Sequence, residues 1–356
     1  MEKINGNDGN DWPTHEQNST EYSSIGPTWP PRETSFNRIK GFYNEMIYNL
    51  SQFQLFFDAF SNFLYSNGFG KDFTRVSLRA VLKKDLLINL PDEYRPYVEA
   101  IIPLKDTQPE FQDYCLVYFG YNHESRTSRH SLEEDKKNLN LALQEKPINP
   151  KEIIDNAIKQ GYEIRILAPE DITNETVRQV HSLIARFGYD LTTTEEMLKD
   201  PNFTFAIAIK DGRIISVSVA EKLTITISNI PLVLVELTEA ATDRGHLKRG
   251  LYAAASTKIL IELARRVNNG EDYIDIIFGE CNGAALGVLK TAVRQGRIFS
   301  AQVGEIYDYP YSGCLPKHVP ILSPDEDISD ELTNYNNLFP AFITKKDLER
   351  IFLFKN

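Results

Sequence analysis

The stretch VLVELTEAATDRGHLKRGLYAAASTKILIELA, from Val233 to Ala264, constrains this chain more than any other. It opens with the alternation of a strand and closes with the apolar spacing of a long helix. Between them lies a short basic turn, with Lys248, Arg249 and Gly250 where the helix starting at Leu251 should begin. Backbone N–H groups at a helix start, together with the positive end of its dipole, attract anions. The turn therefore reads as a seat for a phosphate or pyrophosphate. Ala240, Ala241, Gly245, Gly250 and the run Ala253 to Ala255 leave room for a ligand to approach the backbone.

The strand before the turn carries two carboxylates. Simple alternation puts Glu236, Thr238 and Ala240 on one face and Leu237, Glu239 and Ala241 on the other. An acidic group in so apolar a strand is costly unless it is hydrated, paired or functional. Burial would raise its pKa toward the range of a general base. Glu236 and Glu239 are thus candidate catalytic residues, with a solvent-facing or arginine-paired carboxylate as the plainer reading.

A length of 356 residues allows two domains, and the pattern divides accordingly. Residues 1–34 read as a disordered tail rich in Asn, Asp, Gly, Ser and Pro, within which Trp29 docks only locally. Residues 35–150 read as a smaller accessory domain, helical or α/β, opening with two packed aromatic-rich helices between Ser35 and Gly70. YVEAIIPL and DYCLVYFGY look like strands, and Ser131 with Glu134 forms a capping box for the helix that follows. The cluster His123, Arg126, Arg129 and His130 suits either an anionic substrate group or an ion-pair patch. From residue 151 to 310, helices alternate with strands, and turns are expected at Asp211–Gly212 and Ser228–Asn229. RIFSAQVGEI reads as the last strand of this part, and Asn282 as the cap of the helix before it. Antiparallel hairpins followed by strand–helix–strand units imply a mixed, mostly antiparallel sheet with helices on both faces. Residues 311–356 read as an extension closing the substrate side.

The formal net charge of −11 disfavours nucleic acid and anionic membrane as partners. Three scattered cysteines suit a reducing compartment, and the N-terminus lacks a signal-peptide profile, so a cytoplasmic protein is expected. No Cys/His cluster suggests a metal.

Together these residues resemble the GNAT superfamily of N-acetyltransferases, over roughly residues 160–306. That resemblance implies a GNAT-type sheet and a turn between the fourth strand and third helix that holds the pyrophosphate of acetyl-CoA. The family pattern, Arg/Gln-x-x-Gly-x-Gly/Ala, aligns with Leu247 to Tyr252. The middle glycine is kept as Gly250, while Leu247 and Tyr252 depart from the pattern. A second family pattern, Asn-x-x-Ala-x-x-x-Tyr, matches at Asn282 and Ala285, but Leu289 stands where the usual acid tyrosine would be. Tyr307, Tyr309 or Tyr311 could replace it, or solvent could reprotonate the thiolate. VELTEAAT, GCLPKHVPI and YNNLFPAF look most like the β-lysine N-acetyltransferase branch.

The resemblance implies acyl transfer from acetyl-CoA or another acyl-CoA to a primary amine, on a small amino-acid-like molecule. Ala240, Ala241 and Thr242 would meet the pantetheine arm, with an oxyanion contact near Ala241. Lys248, Arg249, Gly250 and Leu251 would hold the phosphates, and Asn282 and Ala285 would complete the cofactor site. Arg126, Glu305, Asp308 and His318 are candidate lining of the amine pocket. The competing readings are an acyl-CoA-binding sensor without turnover, a longer acyl donor, and a protein N-acetyltransferase. A closed pocket would favour a metabolite and an open groove a peptide. A C-terminal strand or helix could pair two copies. Cys281 invites a ping-pong scheme, but no histidine is positioned to activate it.

Overall fold

The computed structural model describes residues 32–34, 38–66, 69–71, 73–186, 195–307, 311–319 and 335–353. The expected tail up to residue 31, with Trp29, lies outside them. Among the described residues there are two sheets. The first has the order β1-β2-β3-β5-β4, with β1 Arg32–Thr34, β2 Arg38–Ile47, β3 Arg75–Lys83, β4 Val98–Pro103 and β5 Tyr114–Asn122. Only β2 and β3 run parallel, joined by the Leu50–Ser66 helix. Phe53 and Phe56 of that helix pack on Phe119 of β5 at ring separations of 5.7 and 5.2 Å, and lie 5.8 Å from each other.

The two helices expected between Ser35 and Gly70 are therefore one strand and one helix, and the accessory unit is α/β. RIKGFYNEMI was hard to read as a strand because Arg38 is buried and Lys40 half-buried, against partners far away in sequence. Arg32–Thr34, assigned to the tail, is the edge strand paired with β2.

The second sheet has the order β11-β13-β10-β9-β8-β7-β6, with β12 paired to β13. Its strands are β6 Glu163–Ile166, β7 Phe203–Lys210, β8 Arg213–Ile227, β9 Ile230–Thr242, β10 Ile276–Asn282, β11 Ile298–Phe299, β12 Leu315–Val319 and β13 Asn336–Thr344. Every pair is antiparallel except β9 with β10, which the Leu251–Asn268 helix connects. This is the mixed, mostly antiparallel layout expected. The two hairpin turns form where expected, with Asp211 and Gly212 at φ 51° and 74° and Ser228 and Asn229 at 49° and 66°.

The Leu251–Asn268 and Lys345–Phe352 helices cover one face, over Val235, Leu237 and Ile277. The Asn174–Ala185 helix covers part of the other, over Phe205, Val217 and Val219. The first sheet covers the remainder. Its core is continuous with Leu232, Leu234, Ile276 and Phe278 of the second sheet. Backbone ties reinforce the contact, with Ser228 N–H donating to the Asn44 carbonyl at 2.8 Å and Ile101 N–H to Ser300 Oγ at 2.7 Å.

Two expectations need correction. RIFSAQVGEI supplies only the two-residue β11 before the Ser300–Tyr307 helix begins. The segment after residue 310 is no outer extension, because β13 lies between β10 and β11. Its nine residues, Asn336–Thr344, are all buried, which is the pattern of an interior strand rather than a cover.

Candidate active site

A single extra residue creates the opening at the centre of the second sheet. The β8–β9 register passes from Ala220↔Leu237 to Ser218↔Ala240, so Thr238 and Glu239 together oppose Val219. Such a bulge bends its strand and increases the local twist. Pairing between β9 and β10 ends at Leu237↔Gly279. Past that point β9 stays with β8 as far as Thr242, and β10 stays with β13 as far as Asn282. The two parallel strands thus separate at their C-terminal ends, where ligands enter such sheets. A Cβ on Gly279 would stand 3.0 Å from the Leu237 carbonyl oxygen. Gly279→Val should therefore lower stability by about 1–3 kcal/mol, measurable by urea unfolding.

The bulge also corrects the facing of the carboxylates. Leu237 packs toward the Leu251–Asn268 helix, whereas Ala241 packs on the opposite face with Val217 and Val219. The alternation has changed phase between them, which brings Glu239 to the face of Glu236. The charge on Glu236 accordingly helps raise the pKa of Glu239, although burial is the larger cause. The Thr238 hydroxyl donates to the Glu239 carboxylate.

At the mouth of the gap, Lys248 and Gly250 both have left-handed backbone, φ 62° and 75°, with Arg249 between them outside that region. Alternation of this kind turns successive N–H groups toward one concavity, an anion-binding nest. Among the described residues the N–H groups of Lys248, Arg249 and Gly250 meet no backbone or side-chain acceptor. Both basic side chains are exposed. A cleft of about 100 Å³ beside the nest is lined by Arg249, Gly250, Ala253, Thr291 and Arg294. Its size suits a phosphate group better than a whole nucleotide. Leu251 is buried in the first turn and anchors the helix start. Tyr252, at the position where the family pattern has a small residue, is half-buried near Arg297 and Cys281, and burial raises its pKa.

Asn282 ends β10 and does not cap the following helix, whose N-cap is Ala285. Its side chain instead accepts from Ala284 N–H at 3.0 Å and shapes the connecting turn. Leu289 is fully buried among Leu139, Ala292 and Phe339. Tyr311 is tied to Ser300, and burial raises its pKa, so it is no ready acid. Tyr309 and Asp308 lie outside the described residues, as do the side chains of Glu305 and Tyr307. Burial also raises the Cys281 thiol, which fits an inert core cysteine.

The face of β9 that bears Glu236 meets charged residues that sequence reasoning missed. Arg79 of β3 lies 3.0 Å from Glu280 and 3.6 Å from Glu236, with Lys40 Nζ 3.4 Å from Glu236. The Arg79 guanidinium sits over the rings of Phe42, Tyr118 and Phe278 at 5.1, 4.7 and 4.9 Å. Nearby, Arg75 makes a two-pronged pair with Glu99 at 2.9 and 2.7 Å. The available signal was the alternation Arg75, Ser77, Arg79 along an otherwise apolar strand, a charged face that demands carboxylates opposite it.

His318 and Arg126 are brought near this network but serve it structurally. Arg75 Nε donates to His318 Nδ1 at 2.9 Å, and Nε2 faces both the Arg38 guanidinium at 2.5 Å and the Glu280 carboxylate at 3.1 Å. Burial and the adjacent Arg38 hold the imidazole well below its ordinary pKa, while Lys40, His318 and Arg79 hold Glu280 well below its own despite burial. Arg126 donates to the carbonyls of Lys317 and His318 and to Thr74 Oγ1, at 2.6, 3.1 and 2.8 Å. It fastens β12 to the first sheet and is no open anion receptor.

No protein-family model matches this chain, and no curated protein matches it. Solved structures with a related chain path include the ribosomal-protein-S18-alanine N-acetyltransferase from Escherichia coli, at 10% identity and TM-score 0.34, covering 51% of this chain and 93% of that one. An N-acetyltransferase from Staphylococcus aureus Mu50 aligns at 14% identity and TM-score 0.33, covering 52% and 98% respectively. Arabidopsis thaliana NAA60 in complex with acetyl-CoA aligns at 12% identity and TM-score 0.36, covering 51% and 98%.

Proposed function

We propose that this chain is an acyl-CoA-dependent N-acyltransferase acting on the primary amine of a small, amino-acid-like molecule. The observation that carries the reading is the gap between β9 and β10, with the Lys248–Gly250 nest at its mouth. The separated strand edges suit the amides of a pantetheine arm, and the nest suits a pyrophosphate. A bound CoA thioester would supply the activated acyl carbonyl.

The remaining chemistry falls to the chain. Glu239, with its raised pKa, takes the proton of the incoming amine. A backbone N–H on the bulged part of β9 steadies the oxyanion. With Leu289 in place of a tyrosine, water returns the proton to the departing thiolate. The first sheet closes over the face that bears Glu236, which favours a metabolite over a peptide.

Lys248→Ala/Arg249→Ala should weaken acetyl-CoA binding by about tenfold or more, since a hydrogen bond to a charged group contributes roughly 1.5–3 kcal/mol. Calorimetry checks this, and an unchanged affinity would remove the phosphate assignment. A second reading, an acyl-CoA sensor without turnover, is favoured by the ion pairing of Glu236 and the buried Leu289. Native mass spectrometry with mixed acyl-CoAs, followed by an amine screen, separates the two: a sensor retains the thioester in the presence of every amine.

A further inference from the structure

The first sheet carries a primary amine to the place where an acceptor amine is needed. Lys40 Nζ stands 3.4 and 3.5 Å from the two carboxylate oxygens of Glu236. Glu236 immediately precedes Leu237, the last β9 residue paired before the gap opens. Lys40 is held by a strand, with Cα partners at Ser77 on β3 and Arg32 on β1, so its amine is presented by the sheet. Its side chain keeps 23% of its surface exposed, whereas Arg79 beside it keeps none.

We propose that Lys40 is an internal acyl acceptor, so that the chain acylates its own Lys40 from a CoA thioester held between β9 and β10. This rests on the N-acyltransferase reading above. The ammonium first gives one proton to a carboxylate, Glu236 being in contact and Glu239 nearby on the same face. The amine lone pair then forms the Nζ–C bond, the C–S bond breaks, and the sulfur leaves as a thiolate. The amide nitrogen sheds its second proton and the thiolate takes one up, so an ammonium and a thioester yield an amide, a thiol and one proton.

Physical chemistry favours Lys40 over the exposed lysines. Burial and the charge of Arg79 lower its pKa, which enlarges the fraction present as free amine. Fixing nucleophile and electrophile in one molecule also removes the entropic barrier of encounter. Acylation would neutralise Lys40 and leave Arg79 as the cation nearest Glu236, so the modified chain would meet an incoming amine with a different charge balance.

The test is to incubate the full chain with acetyl-CoA, follow intact mass and map peptides. The expected result is one added acetyl group, on Lys40, with a first-order rate constant independent of protein concentration. Lys40→Arg should keep acetyl-CoA binding by calorimetry and lose the modification. Lys248→Ala/Arg249→Ala, altered only in an exposed loop, should bind acetyl-CoA about tenfold more weakly and, at acetyl-CoA well below saturation, modify Lys40 correspondingly more slowly. Acetyl-CoA binding with an unmodified Lys40 peptide overturns this proposal and leaves the N-acyltransferase reading standing. An equal rate of Lys40 modification in the loop variant at sub-saturating acetyl-CoA, or labelling spread across exposed lysines, identifies solution chemistry and overturns it as well. Absence of acetyl-CoA binding overturns both readings together.

Discussion

Glu239→Gln lowers kcat/KM for amine acylation by about 10²–10⁴-fold, the usual contribution of a positioned general base, while acetyl-CoA affinity stays unchanged. The wild-type rate falls as pH drops through the Glu239 pKa, which burial and Glu236 hold above the ordinary carboxylate range. In the variant that acid limb disappears. Glu236→Gln removes the neighbouring negative charge and moves the limb to lower pH without abolishing it. The stability effect runs the other way. A carboxyl whose pKa is higher folded than unfolded favours the fold at low pH, and that advantage is lost as pH rises between the two values. Glu239→Gln should therefore unfold at a higher temperature than wild type at neutral pH. A full rate at limiting amine across the pH range would remove Glu239 as the base.

Glu99→Ala destabilises the chain by about 3–5 kcal/mol, the usual result of leaving one member of a buried ion pair behind. Arg75 is fully buried and Glu99 nearly so. Glu99 also lies directly over Gly120, where an added Cβ would come within 1.9 Å of the carboxyl carbon. Its removal leaves a cation and a void between β3, β4 and β5. Arg75 retains Asn122 and the Pro316 carbonyl, at 2.9 and 3.1 Å, which places the loss toward the lower end. Chemical denaturation monitored by tryptophan-independent circular dichroism reads the difference. A loss below about 1 kcal/mol would mean that the pair behaves as a solvated surface bridge.

The local features of this fold were legible wherever short-range chemistry decides them. The Ser131–Glu134 capping box, both hairpin turns and the basic turn before Leu251 follow from neighbours a few residues apart. The errors arose where distant partners decide. β2 looked helical because the charges on Arg38 and Lys40 hid its buried face, and their counterparts lie at His318 and Glu236. Strict alternation put Glu236 and Glu239 on opposite faces because a bulge does not announce itself in a single strand. The charged cluster between the sheets was invisible for the same reason: Arg79 joins Glu236 and Glu280 only after two sheets have stacked. The basic turn at Lys248–Gly250, by contrast, needed only one turn and one helix.

The placement of β13 has a bearing on how the chain is made. Asn336–Thr344 slots between β10 and β11, though it is translated after both. On the ribosome, β10 must therefore wait with a bare hydrogen-bonding edge while the last of the sheet is synthesised. Such edges recruit foreign strands. A nascent or truncated chain ending before Asn336 should consequently aggregate.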